Sequence, residues 1–319
     1  MKPRILVIRG GAIGDFILTL PAINLLREAF PQAHLEILGY KHIVALAEDR
    51  FYADATRSIE YGALSGFFIP NSELAPDLVE YFSSFQQIIS YLYDPDGLFE
   101  GNLRRAGVKN LLRAFAKVDD TEHAARQLAR PLQELALYLE DHAARIFPSK
   151  ADYAASQDFL GSNDGNPVIA IHAGSGSPKK NWPVDRWEVL GRKLAEDSPG
   201  TRLLLIGGEA DQAQIDRLSA AWRDLSVLIA HELPLPTLAA ILSRVRFFIG
   251  HDTGISHLAA AVGAPCLLLF GPTDPAVWAP ANPAVDVIEA PEGDLEQLPL
   301  EVVVEKVGDL LSRISRDRV

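Results

Sequence analysis

The chain has 319 residues, of which 48% are hydrophobic and 23% are charged. This composition excludes a largely disordered protein and leaves room for two domains of ordinary size. The formal net charge of −12 argues against a nucleic-acid-binding protein, because binding to phosphates requires a basic surface.

The apolar segments of the chain are short. The longest, Leu258 to Phe270, is interrupted by Gly263 and Pro265 and is too short to span a membrane. Arg9 interrupts the apolar stretch near the start of the chain, so we expect no signal peptide. The one cysteine, Cys266, lies in a predicted core strand, where a buried and inert thiol is expected. We therefore predict a cytoplasmic protein.

Hydrophobic periodicity in the first half predicts a β-loop-α-β start, followed by a less regular alternation. Pro21 lies inside the first predicted helix, which it should kink or divide, and Pro131 should interrupt a later one. The predicted elements are a strand over 4–9, a helix with apolar positions from 16 to 26, strands over 34–38 and 87–93, and a helix over 122–140.

The second half alternates strands and helices regularly, which predicts a parallel sheet with helices on both faces. Residues 156–167 are rich in Gly, Ser, Asn and Asp and form the predicted linker. We therefore predict an α/β protein with two doubly wound Rossmann-like domains, 1–157 and 158–319, that face a central cleft. We expect a C-terminal helix to pack back on the first domain. The predicted strands of the second half are 168–172, 202–206, 226–230, 245–249 and 266–270, and its helices are 184–196, 212–222 and segments that begin near 236 and 256.

Ligands of doubly wound domains bind beyond the carboxyl ends of the strands, where loop 10–15 follows the first strand. This loop lacks a G-x-G-x-x-G motif, and the second strand is not followed by the acid that would bind a ribose. A nicotinamide-dependent enzyme is therefore disfavoured. The loop instead places Asp15 at a helix start among glycines, including Gly11, that allow a substrate to approach closely. Asp15 is either a reactive carboxylate or a residue that stabilises the helix dipole.

Two loops of the second half have residues that suit a nucleotide. Loop 172–183 combines small residues, among them Ser175, with the paired lysines Lys179 and Lys180, which suit phosphate oxygens. Asp211 follows the next strand and either binds ribose hydroxyls or caps the helix behind it.

Segment 250–261 runs from a buried strand through a polar loop into an Ala-rich helix. The unpaired N–H groups of such a helix start bind phosphate, and Thr253 and Ser256 can add hydroxyl donors. The alternative is that Asp252 or Thr253 only caps the helix. A lone histidine such as His257 is usually a satisfied core residue.

Residues 102–130 have seven basic side chains and three acidic ones, in contrast to the acidic chain as a whole. Arg104, Arg105 and Lys109 in this stretch are candidates for contact with an anionic partner, and the alternative is a solvated helix face. We predict no metal site, because the histidines are dispersed. The run Asp94-Pro95-Asp96 is predicted to be an ordinary turn.

Five segments, taken together and in this order, resemble glycosyltransferase family 9, the ADP-heptose:lipopolysaccharide heptosyltransferases. The resemblance extends from residue 5 to residue 275. The segments are Ile13-Gly14-Asp15 with Thr19-Leu20-Pro21; Lys180-Asn181-Trp182-Pro183; Gly207-Gly208; Asp252-Thr253-Gly254 with Ser256-His257-Leu258-Ala259-Ala260-Ala261; and Phe270-Gly271-Pro272-Thr273.

The resemblance implies a GT-B fold, with the donor nucleotide in the C-terminal domain and the acceptor mainly in the N-terminal one. Asp15 then corresponds to the general base, and Lys180 to a catalytic residue that binds the donor diphosphate or sugar. Leu233 corresponds to an apolar contact of the adenine. The resemblance and the loop arguments together predict the donor-binding residues Ser175, Lys180, Asp211, Leu233, Asp252, Thr253, Gly254, Ser256 and His257. The acceptor-binding residues that we predict from the glycine loop and the basic stretch are Gly11, Arg104, Arg105 and Lys109.

The resemblance also implies an inverting, metal-independent transfer from ADP-heptose to a hydroxyl of inner-core lipopolysaccharide or a related cell-envelope glycan, without a cofactor. The anionic glycolipid acceptor would bring the protein to the cytoplasmic face of the inner membrane. There are two departures from the family. Ser175-Gly176-Ser177 stands where members tend to have threonines, and region 40–150 contains no motif that identifies an acceptor. Three alternatives remain: a transferase of this fold that uses another nucleotide sugar, an epimerase of this fold, and a non-catalytic nucleotide-sugar-binding protein.

Overall fold

The computed structural model of the chain describes residues 2–115, 117–161 and 166–316. The chain divides into two compact units, Met1–His142 and Ala143–Val319. Each unit contains one β-sheet whose strands all pair in parallel. This architecture confirms the α/β prediction with two doubly wound sheets.

The first unit is a five-stranded sheet in the order β3-β2-β1-β4-β5, flanked by helices. Its core includes a cluster of aromatic side chains in which the rings of Phe67 and Phe82 lie 4.9 Å apart. The elements are β1 (Arg4–Arg9), α1 (Ile13–Ala29), β2 (His34–Gly39), α2 (Lys41–Val44), β3 (Ala55–Ser58), α3 (Pro76–Ser83), β4 (Gln87–Ser90), α4 (Leu98–Arg105), β5 (Leu111–Arg113) and α5 (Ala124–Ala129), with 3₁₀ helices over Gly62–Phe68 and Arg130–Leu135.

The second unit is a six-stranded sheet in the order β11-β10-β9-β6-β7-β8. The central strands are buried throughout, which explains why they are continuous apolar runs in the sequence. The elements are α6 (Lys150–Leu160), β6 (Val168–His172), α7 (Val184–Asp197), β7 (Arg202–Gly207), α8 (Gln212–Ala221), β8 (Val227–His231), α9 (Leu235–Leu242), β9 (Phe247–His251), α10 (Gly254–Ala261), β10 (Cys266–Phe270), α11 (Pro275–Trp278), β11 (Val285–Glu289) and α12 (Leu300–Arg316).

The strand orders fix where each unit can bind a ligand. In the first unit the chain winds outward in one direction from β1 and in the other from β4, so the loops after these two strands flank a crevice. In the second unit the corresponding strands are β6 and β9. Ligands of doubly wound sheets bind in this crevice, at the carboxyl ends of the strands.

Two prolines bear on the predicted helices of the first unit. Helix α1 is continuous through Pro21, which is buried in the helix, so the predicted division of the helix is wrong. The interruption predicted at Pro131 is present, because α5 ends at Ala129 and Pro131 lies in the 3₁₀ helix that follows. That 3₁₀ helix ends at Leu135, short of the predicted end at residue 140. Residue 131 lacks the N–H that a continuing α-helix would need.

The predicted linker 156–167 is not irregular along its whole length. Residues 156–160 are the last residues of α6, which belongs to the second unit and packs against α9. Residues 162–165 of this segment lie outside the described part of the chain.

The C-terminal helix α12 packs against the sheet of its own unit. Val303, Val307 and Leu310 are one helical turn apart or nearly so, and all three are buried in the core of the second unit. None of the described helices has both the length and the apolar character that crossing a bilayer requires.

Candidate active site

Asp15 lies in the first turn of α1. Its Oδ2 accepts a hydrogen bond of 2.8 Å from the backbone N–H of Ala12, and its side chain is 42% exposed. Gly11 has a φ of +93°, and a Cβ at that position would lie 2.7 Å from Asp15 Oδ2. The carboxylate therefore caps the helix and is still accessible from solvent, and only glycine fits beside it.

Arg9, at the end of β1, was missed by the sequence analysis. Its Nη2 lies 3.6 Å from Asp15 Oδ1 and donates to Asp15 O at 3.1 Å, and its Nε donates to Thr19 Oγ1 at 2.9 Å. Burial lowers the pKa of the Arg9 guanidinium, and the nearby charge of Asp15 opposes that shift. Asp15 and Thr19 lie one helical turn apart on the same face of α1, and both contact Arg9.

In the second unit, Asp252 contacts side chains from two loops and from helix α10. Its Oδ2 accepts hydrogen bonds from Lys180 Nζ at 2.6 Å and from Thr273 Oγ1 at 2.8 Å. His257 Nε2 lies 4.0 Å from Asp252 Oδ1. The structure thus brings three predicted donor-binding residues together, and it adds Thr273 from the last family-like segment.

Helix α10 begins directly behind this cluster, with Thr253 as its N-cap. The N–H groups of Gly254 and Ile255 hydrogen bond to none of the residues that the structure describes. Ser256, by contrast, is buried, and its hydroxyl donates to the carbonyl of His251. Capping and an open helix start therefore coexist at this position, and the Ser256 hydroxyl is already engaged within the protein.

A buried chain of hydrogen bonds connects the loops after β6, β7 and β9. Asp211 Oδ2 accepts from Gly208 N at 2.9 Å and lies 3.4 Å from His172 Nε2, while His172 Nδ1 lies 3.2 Å from Thr253 Oγ1. Burial tends to raise the pKa of Asp211, but the hydrogen bonds from His172 and Gly208 lower it overall. His172 therefore connects Asp211 to Thr253 through its two ring nitrogens.

This network gives Asp211 a buried position. Its Oδ1 packs so closely on Gly174 that a Cβ there would come within 1.8 Å. The carboxylate links three loops, and its contact with a ribose stays a prediction. His172 was not predicted from the sequence, because a histidine at the end of an apolar strand has no distinctive pattern.

His251 holds the loop that contains Lys180. Its Nε2 accepts a hydrogen bond of 2.8 Å from Trp182 N, and its Nδ1 lies 3.3 Å from Gly174 O, so Nδ1 carries the proton of the neutral ring. Complete burial lowers the pKa of His251 to about 3. His251 is therefore neutral in the folded protein.

This buried histidine predicts a specific pH dependence of stability. An unfolded histidine titrates near about 6.5, whereas the folded pKa is about 3. Between these values only the unfolded state binds the proton, so stability falls as the pH falls, by up to about 1.4 kcal/mol per pH unit. Chemical denaturation measures the free energy of unfolding at each pH. We expect this free energy to fall less over this pH window for His251→Gln than for the wild type. Parallel curves would contradict the prediction, and His42→Gln, at an exposed position, is the control.

Two further predicted donor-binding residues lie in the loops after β6 and β8. Ser175 Oγ is 2.6 Å from Ser177 O and 2.7 Å from Asn181 Oδ1, so it orders the loop before Lys180. Leu233 is half-buried in the loop after β8.

The predicted acceptor-binding cations lie elsewhere. Helix α4 runs from the end of β4 back to the start of β5, so Arg104, Arg105 and Lys109 lie at the amino-terminal edge of the sheet, opposite Asp15. Arg104 Nη1 donates to Lys109 O at 2.6 Å, and Arg105 Nη2 donates to Ser72 O at 3.0 Å. This placement favours the alternative of a solvated helix face.

Known proteins resemble this chain over most of its length. The sequence profile of glycosyltransferase family 9 (heptosyltransferase) matches residues 102–306. Lipopolysaccharide heptosyltransferase 1 of Escherichia coli K12 is 25% identical over 96% of this chain and 100% of that protein. The protein of the same name from Pseudomonas aeruginosa is 26% identical over 85% of this chain and 79% of its own length.

Solved structures share the fold. The family 9 glycosyltransferase of Veillonella parvula superposes with a TM-score of 0.79 at 20% identity, covering 98% of each chain. Heptosyltransferase WaaC of E. coli, solved with ADP, gives a TM-score of 0.72 at 18% identity over 96% of this chain and 99% of that one. These are GT-B proteins, as the sequence predicts. The chain therefore belongs to glycosyltransferase family 9, the heptosyltransferase family, and is a glycosyltransferase.

Proposed function

We propose that this protein transfers heptose from ADP-heptose to a hydroxyl of inner-core lipopolysaccharide, with inversion at the anomeric carbon. The observation that carries the proposal is the cluster around Asp252. Lys180 Nζ lies 2.6 Å from Asp252 Oδ2, and α10 begins two residues after Asp252. Lysine and free backbone N–H groups are suited to a diphosphate. The names of the relatives, lipopolysaccharide heptosyltransferases, support the sugar and the acceptor.

In the proposed reaction Asp15 is the general base. Its half-exposed carboxylate takes the proton of the acceptor hydroxyl while that oxygen bonds to the anomeric carbon of the heptose. The bond between this carbon and the diphosphate oxygen breaks at the same time, and ADP leaves with the electron pair. Arg9 and the N–H of Ala12 keep the carboxylate oriented at the start of α1.

Negative charge grows on the diphosphate as it leaves, and we propose that Lys180 and the N–H groups of Gly254 and Ile255 stabilise it. Asp252 and Thr273 position the lysine before the donor binds. These groups supply positive charge without a metal ion. Among the described residues, no group of three or more His, Cys, Asp or Glu side chains is placed to hold a metal.

The acceptor of this proposal is an anionic glycolipid. A protein that acts on it meets the inner membrane at its cytoplasmic face, and contact through the acceptor is sufficient for that.

A donor screen tests the proposed sugar nucleotide. We expect ADP and ADP-heptose to raise the thermal unfolding temperature more than UDP-, GDP- or CDP-sugars at equal concentration, because the tighter ligand stabilises the folded state more. Heptose transfer to inner-core lipopolysaccharide is then measured with the preferred donor. A clear preference for a UDP-sugar would contradict the heptose donor, and donor turnover without an acceptor would favour an epimerase.

A further inference from the structure

The first unit contains a cavity of about 280 Å³ at the carboxyl ends of β4 and β5. This volume is close to the lower limit of small-molecule sites, about 300 Å³, so it suits a ligand group no larger than one ring. The residues that line the cavity include Leu92, Tyr93, Asp94, Glu100, Arg113 and Phe115.

The cavity and Asp15 lie at the same edge of the sheet, the edge formed by the carboxyl ends of the strands. Strands β1 and β4 are neighbours, and they form the crevice of the first unit. A Cβ added to Gly10, in the loop that leads to Asp15, would lie 3.2 Å from Leu92 Cδ2. A wall of the cavity therefore packs directly against the loop of the proposed base.

Two aromatic side chains that line the cavity are exposed to solvent and lie next to each other. Tyr93 is 69% and Phe115 is 44% exposed, and their rings lie 5.1 Å apart at an angle of 53°. Burying large aromatic rings is favourable, so a pair of exposed rings beside a cavity indicates a surface that a ligand covers.

The other lining residues are polar and paired. Arg113 Nε lies 3.5 Å from Glu100 Oε2, and Arg113 Nη2 donates to Asp94 O at 3.2 Å. The Asp94 carboxylate accepts from the N–H groups of Phe99 and Glu100 and so caps α4. The predicted turn at this position is present, and it has this additional role. Arg113 Nη1 makes no hydrogen bond to a described residue.

From these features we infer that the cavity binds one pyranose ring of the acceptor. The inference rests on the proposed function and identifies where the acceptor is recognised. The C–H face of a pyranose packs on aromatic rings, while its hydroxyls need donors and acceptors side by side, as Arg113 and Glu100 offer. A hydrocarbon chain would fit less well, because it would cover a charged pair without replacing its water.

Substitution of the aromatic residues tests this inference. Tyr93→Ala and Phe115→Ala are each expected to raise the KM for deacylated inner-core oligosaccharide by about tenfold, with the KM for ADP-heptose unchanged. Tyr93→Phe keeps the ring and should restore the wild-type acceptor KM. Tyr138, which is 64% exposed and does not line the cavity, provides the matched control Tyr138→Ala.

The polar pair is tested separately. Arg113→Gln removes a charge from an ion pair at the cavity, and we expect a higher acceptor KM with normal ADP binding. Arg217 forms a comparable surface ion pair with Glu188 at 2.5 Å, so Arg217→Gln is the control. Thermal unfolding of each variant shows whether the fold is intact.

Calorimetric titration of the full-length protein with the oligosaccharide separates this inference from the proposed function. If the wild type binds the oligosaccharide, Tyr93→Ala weakens binding and no heptose is transferred, the cavity assignment stands and the proposed reaction fails. The cavity assignment is overturned if the wild type transfers heptose while Tyr93→Ala, Phe115→Ala and Arg113→Gln all keep the wild-type KM and affinity for the oligosaccharide. The cavity assignment is also overturned if the cavity variants bind anionic phospholipid vesicles less tightly than the wild type but keep the wild-type affinity for the oligosaccharide.

Discussion

Asp15→Asn should reduce heptose transfer by about 10²–10⁴-fold, the contribution that general bases typically make. The asparagine oxygen can still accept the hydrogen bond from Ala12 N, so the helix cap is retained. Arg9 keeps its hydrogen bonds to the backbone oxygen of residue 15 and to Thr19. Folding and ADP affinity should therefore persist, and the rate constant for transfer under saturating donor is the informative measurement.

The chain supplies a control for this substitution that is matched in its capping position. Asp152 occupies the same position in α6, where its Oδ2 accepts a hydrogen bond of 2.6 Å from Ser149 N. Asp152→Asn should have a comparable effect on the cap and none on the reaction. Near-normal transfer by Asp15→Asn would rule out Asp15 as the base. A loss of activity that follows only a loss of folded protein would instead assign Asp15 to capping.

The elements that the sequence predicts best are the buried parallel strands of the second unit. The strands predicted over 168–172 and 266–270 coincide with β6 and β10, because a strand that is buried on both faces is a continuous apolar run with polar loops at its ends. The short strands β3, β5 and β11 were not predicted. Three to five residues with mixed burial do not produce a recognisable pattern.

The partners within the site depend on which strands become neighbours. Lys180 and Asp252 are 72 residues apart, and His172 and Thr253 are 81 residues apart. They meet because β6 lies beside β9 in the sheet. Local sequence shows that each loop suits a phosphate, but it does not show that Asp252 pairs with Lys180. The resemblance to a family supplied the role of these residues, and the sheet order explains their proximity.

Arg9 illustrates a different limit. An arginine at the end of a strand is most often solvated, and nothing in the sequence marks this one as buried beneath the start of α1. Its burial becomes apparent only when the helix is placed over the strand, with Asp15 and Thr19 both turned toward it.

Lys180→Ala should weaken ADP binding and slow transfer, because it removes the cation that we place on the diphosphate. One lost charge-assisted contact costs about 1.5–3 kcal/mol, or roughly a 10- to 150-fold change. We expect the upper part of this range. Asp252 is nearly buried, and without the lysine its carboxylate would repel the incoming phosphates.

Two variants separate these contributions. Lys179 is exposed and adjacent in sequence, so Lys179→Ala changes the net charge equally and should leave the ADP dissociation constant almost unchanged. In the double variant Lys180→Ala/Asp252→Asn, the uncompensated carboxylate is neutralised, and ADP affinity should recover in part. Isothermal titration calorimetry at two salt concentrations measures both effects, because a charge contact weakens as salt increases. If Lys180→Ala binds ADP and transfers heptose like the wild type, Lys180 is only the surface partner of Asp252, and the positive charge on the leaving group comes from the start of α10 alone.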